Sequence, residues 1–60
     1  MNIWFKSDGK FLACLDTNTK PSVGDMVLLR KEKYIVTEVL WCFEEPPAQL
    51  GIIVYIEKKQ

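Results

Sequence analysis

Catalysis by a side-chain nucleophile needs a base beside it, normally histidine, and this chain has no histidine. Its two serines, Ser7 and Ser22, stand in Ser7-Asp8-Gly9 and Pro21-Ser22-Val23-Gly24, where a hydroxyl serves turn chemistry. Glu44 and Glu45 are adjacent carboxylates. Neighbours in an extended chain point to opposite faces, whereas an acid–base pair must converge on one substrate. Gly9, Gly24 and Gly51 are too far apart to cradle a phosphate. Cys14 and Cys42 alone cannot complete a tetrahedral zinc site, and their spacing is not that of a CxxC pair. The expectation is a protein that is not an enzyme, with no cofactor, no metal and no small-molecule substrate.

Both cysteines lie in apolar runs, where a thiol behaves as a small hydrophobe, so two buried structural thiols are expected. A Cys14–Cys42 disulfide is the alternative if their strands pair. The N-terminus lacks a basic segment followed by an apolar stretch, and no apolar run is long enough to span a bilayer. A reducing, cytoplasmic setting without membrane attachment is therefore expected.

Binding chemistry is better represented. Barrels that hold single-stranded nucleic acid stack bases on exposed aromatics beside a basic groove. Trp4 and Trp41 could stack, and Arg30, Lys31 and Lys33 could meet phosphates at a cationic hairpin tip. Eight basic and eight acidic residues cancel to zero formal charge, however, and nucleic-acid binders carry a basic excess because phosphate neutralisation supplies most of their affinity. Zero charge also leaves little repulsion against self-association.

The elements that must position these groups are strands. Residues 2–6 are aromatic-rich, and Asp8-Gly9 after them is a strong hairpin signal leading to a return strand over 11–16. Residues 17–22 are polar and include Pro21, so they form a surface loop. Val23-Gly24-Asp25 turns the chain into a strand over 26–30, with Gly24 at a positive φ or a crowded backbone. Lys31-Glu32-Lys33, without glycine, predicts a type I turn with a bulge. The strand over 34–43 breaks phase. Tyr34 and Val36 share one face under strict alternation and Val39, Trp41 and Phe43 the other, so a bulge near Thr37-Glu38 must bend it. Pro46 and Pro47 stop that strand, residues 50–58 form the last, and Lys58-Lys59-Gln60 guard against edge pairing.

Pro21-Ser22-Val23-Gly24-Asp25-Met26-Val27 followed by Tyr34-Ile35-Val36-Thr37-Glu38-Val39-Leu40-Trp41 resembles the entry of many small SH3-like β-barrels, in particular short single-barrel proteins of bacterial genomes, phages and mobile elements. The resemblance covers residues 21–43 and implies a fold, with no catalytic residues to carry over. Residues 1–60 are thus expected to form one all-β domain, a small five-stranded antiparallel SH3-like barrel or roll.

Such a barrel has one interior. If Val27, Leu29, Val39, Trp41, Val54 and Ile56 fill it, then Met26, Leu28, Leu40, Ile53 and Tyr55 face outward as an apolar surplus; the alternative is that Tyr34 and loop residues cover part of that face. Surplus apolar surface marks an interface. A chain of 60 residues also has a small core and gains from association. The favoured expectation is a non-catalytic protein-interaction or assembly module, self-associating or docking on a protein partner and compatible with a phage or mobile-element origin. Nucleic-acid binding is the alternative.

Overall fold

The computed structural model describes residues 2–42 and 51–59. Among them are five strands: β1 (Asn2–Ser7), β2 (Lys10–Asp16), β3 (Met26–Leu29), β4 (Glu32–Cys42) and β5 (Gly51–Lys58). They form one sheet in the order β2-β1-β5-β4-β3, curled into a half-barrel, and no helix occurs among the described residues.

Three pairings are antiparallel, but β1 and β5 run parallel, with Ile3 beside Ile52 and Phe5 beside Val54. The sheet is therefore mixed, which corrects the wholly antiparallel arrangement expected. The reason is topological. β5 pairs antiparallel with β4 and takes the centre of the sheet, so its other side receives β1 in parallel. β5 is consequently a central strand over residues 51–55, and its charged end lies beyond the reach of β1. Residues 51–55 have a neighbour on both sides, residues 56–58 pair with β4 alone, and the outer strands are β2 and β3.

Turn chemistry sets the two hairpins. Asp8 (φ 51°) and Gly9 (φ 76°) both adopt positive φ between paired Ser7 and Lys10, the type I′ pattern. The second hairpin departs from expectation. Leu29 pairs with Glu32, so the turn is the two residues Arg30 (φ 52°) and Lys31 (φ 66°), a glycine-free version of the same type. Left-handed backbone costs an L-residue about 1–2 kcal/mol. One compensation is visible: the Arg30 guanidinium donates to the Leu12 carbonyl at 2.8 Å, reaching from the β3–β4 tip to β2, the opposite edge of the sheet.

Two bulges curl the sheet. On β4, Val36 pairs with Ile56 and Glu38 with Tyr55, so Thr37 is the extra residue, as the phase break predicts. The Thr37 hydroxyl donates to the Tyr55 carbonyl at 3.2 Å. On β2, Phe5 pairs with Ala13 and Lys6 with Phe11, leaving Leu12 as the extra residue and explaining the poor alternation of 11–16. In the turn before β3, the Asp25 amide donates to the Ser22 carbonyl, and the Asp25 carboxylate accepts from the Ser22 amide at 2.8 Å. Gly24 (φ 94°) occupies the third position, where a type II turn requires positive φ.

The core lies on the concave face: Ile3, Phe5, Tyr34, Val36, Ile52, Val54 and Ile56, with Leu12, Ala13, Val27, Leu29 and Val39 against it. Two expectations are corrected. Trp41 points to this side but is 42% exposed, because it lies near the β4 terminus beyond the packed centre. Tyr34 is buried in the core and covers nothing on the outer face; its hydroxyl reaches the Glu32 carboxylate at 3.3 Å.

Candidate interaction surface

The convex face is built by the residues that alternate with the core. Pairing aligns them in rows across four strands. One row is Cys14, Trp4, Ile53 and Leu40; the next is Phe11, Lys6, Tyr55 and Glu38. The rows are two residues apart along β1, β5 and β4 and three apart along β2, where the extra residue Leu12 keeps Phe11 in line.

Within these rows the side chains cover one another. The Lys6 ammonium lies 5.0 Å from the Phe11 ring centre and 5.9 Å from that of Tyr55, a cation held between two aromatics. The Trp4 indole lies across Gly51, where a β-carbon would overlap Trp4 Cζ3 and stand 2.8 Å from Cη2. Trp4, Lys6, Ile53 and Tyr55 are half-buried, while Phe11 and Leu40 at the flanks are exposed.

Of the outward residues read from sequence, Leu40, Ile53 and Tyr55 are brought together here. Met26 and Leu28 lie on the same face but apart, on edge strand β3 beside Ile35 and Lys33. Glu38 and Glu57 intervene: Glu38 precedes the bulge on the way from Leu40 to Ile35, and Glu57 pairs with Ile35. Leu28, at 70%, is the most exposed large apolar residue of the chain described. Sequence reasoning read Trp4 only as a stacking residue of the nucleic-acid alternative and did not bring Lys6 or Phe11 to this face, because only the β1–β5 pairing carries the first hairpin alongside β4 and β5; Glu38, on β4 itself, was read only as part of the bulge.

The residues of the nucleic-acid alternative are dispersed. Trp4 is on the convex face and Trp41 on the concave one. Arg30, Lys31 and Lys33 are at the β3–β4 tip, the end of β4 opposite Trp41, and Arg30 is engaged by Leu12. Trp41 has Lys20 beside it instead, the ammonium 5.6 Å from its ring centre. Lys20 and Trp41 flank a shallow cleft of about 170 Å³, floored by Ile3 and Ile52 and rimmed by Thr17, Asn18 and Thr19.

The thiols also depart from expectation. Cys14 is exposed, Cys42 is half-buried, and both are free. Their strands do not pair: β1 and β5 stand between β2 and β4, too wide a gap for a disulfide. No three of the Cys, Asp and Glu residues gather as a metal site among those described. Phe43, Glu44 and Glu45 lie outside the described residues.

The charges at the other end of the sheet are simple. Lys58 Nζ meets Glu32 Oε1 at 3.0 Å. The Lys58 hydrogen bond and charge hold the Glu32 carboxyl below its ordinary value, and Glu32 in turn holds the Lys58 ammonium above its own.

Comparison with known proteins adds no family. No family model matches this chain, and no curated protein or solved structure matches it either. No described helix is long and apolar enough to cross a membrane.

Proposed function

We propose that this chain is a non-catalytic interaction module that works through the convex face of its sheet, on a second copy of itself or on another protein. One observation carries the reading: a sheet whose concave side already holds the core presents, on the other side, the adjacent Trp4, Ile53, Leu40, Tyr55 and Phe11. Aromatic residues are enriched where interfaces bury surface, and an apolar patch on a soluble domain marks a contact site. The two free thiols fit a reducing, cytoplasmic compartment. Kinship with the small SH3-like barrels is proposed for the hairpin over 21–42 alone, the parallel β1–β5 pairing being a departure from the expected barrel.

Light scattering across a micromolar dilution series tests the self-associating form. The wild type is expected to associate and Leu40→Asp to be a folded monomer. A wild type that stays monomeric throughout would refute that form. The nucleic-acid alternative draws less support, since its tryptophans and basic residues sit at different places. Anisotropy with labelled oligonucleotides at about 50 mM salt, where phosphate contacts act strongly, checks it.

A further inference from the structure

We propose that the partner of the convex face is a second copy of this chain, packed sheet on sheet about a two-fold axis along β5, with Lys6 of each copy against Glu38 of the other. The proposal rests on the self-associating form of the reading above and specifies its geometry.

β5 lies between β1 and β4, and Tyr55 on β5 pairs with Lys6 on one side and Glu38 on the other. Two sheets that meet through the same face are related by an axis lying in the interface. An axis along β5 exchanges β1 with β4. Lys6 then meets Glu38 of the partner subunit, Trp4 meets the partner's Leu40, and Ile53 and Tyr55 meet their own copies on the axis. Opposite charges are matched twice, and the large apolar side chains face one another.

Other axes match poorly. One along β1 sets Lys6 on its own copy, and one along β4 does the same to Glu38. An axis across the strands, between the two rows, covers Glu38 with a leucine and leaves a carboxylate desolvated without a cation, which is strongly unfavourable. Charge complementarity thus selects β5 as the axis and a second copy as the occupant. Lys6 already stands between the Phe11 and Tyr55 rings, which hold its ammonium over the patch. Glu57, next outward along β5, approaches its copy only at the exposed end of the strand, where solvent and salt screen like charges.

Sedimentation equilibrium on the wild type, Lys6→Glu, Glu38→Lys and the double charge reversal tests the geometry. Each single reversal is expected to weaken the dimer by about tenfold or more, and the double reversal to return it to within about threefold of wild type. Circular dichroism checks that each variant is folded. Should Lys6→Glu fail to fold, the milder cycle applies: Glu38→Gln weakens the wild-type dimer but has no further effect once Lys6 is Gln. A wild type that dimerises while the double reversal, or the milder cycle, shows no coupling overturns this geometry and leaves self-association standing. A wild type that is monomeric at every concentration overturns both.

Discussion

Replacing Gly51 by alanine tests the packing beneath the proposed surface. Gly51 is buried at the start of β5, and its φ is not in the left-handed region, so conformational freedom is not its role. Its role is space. A β-carbon there would overlap the Trp4 indole, stand 2.8 Å from Cη2 and lie 3.0 Å from the Asn2 carbonyl oxygen. The backbone oxygen cannot retreat without breaking the β1–β5 pairing, so the indole must swing away. Overpacking costs about 1–3 kcal/mol, and exposing part of an aromatic ring adds to it, so a loss of about 3 kcal/mol is expected. A chain of this length has roughly 3–9 kcal/mol in total, so the midpoint of urea unfolding should fall steeply. The assay is urea denaturation followed by far-UV circular dichroism on wild type, Gly51→Ala, Trp4→Leu and the double variant. Because Trp4 is the obstruction, Gly51→Ala should cost about 1 kcal/mol or more less in the Trp4→Leu background. A Gly51→Ala protein within about 0.5 kcal/mol of wild type, or strictly additive costs, would refute the reasoning.

Two further outcomes follow from the sheet. Thr37→Val keeps the shape of the bulge but removes the donor to the Tyr55 carbonyl, and should cost about 1 kcal/mol in urea unfolding; an unchanged midpoint would show that solvent replaces the bond. The Glu32–Lys58 pair predicts a pH window. Glu32 is depressed below its ordinary 4.5, so its contribution is present above that value and lost as pH falls through the folded one. Lys58 is raised above 10.5, so its contribution is present below that value and lost as pH rises through the folded one. Both groups are exposed, so the effect is small and fades with salt. At low salt, Glu32→Gln should flatten the acid-side decline of the thermal midpoint; a decline of wild-type slope would contradict the pairing.

Several local features were legible because they are local. Asp8-Gly9 announced its turn, since few other dipeptides tolerate positive φ twice. Ser22-Val23-Gly24-Asp25 did the same. The misplaced phase of Val39 and Trp41 located the Thr37 bulge, because one inserted residue reverses the alternation after it. The second hairpin was misread for the same kind of reason in reverse. Arg30 and Lys31 carry no sign of positive φ, and the Arg30 contact with Leu12 joins residues far apart in the chain.

The candidate surface was half legible. Alternation set Leu40, Ile53 and Tyr55 opposite Val39, Val54 and Ile56, so they face outward on the condition that the latter set fills the core, as it does. Trp4, Lys6 and Phe11 could not be added, because their place depends on where β1 docks. Trp41 was assigned to the core on correct phase, but phase does not report how close a residue lies to the end of the packed region.

The sequence by itself determined five strands, their approximate limits, two turn conformations and one bulge, since each depends on backbone preferences within a few residues. The tertiary structure alone decided the strand order, the parallel β1–β5 pair, and which of two apolar faces becomes the core. In β5 both Ile52, Val54 and Ile56 and the alternate Ile53 and Tyr55 are apolar, so period-two patterning cannot choose between them. The choice falls to non-local pairing: curling buries the face toward which the sheet closes and leaves Trp4, Ile53, Tyr55 and Leu40 outside.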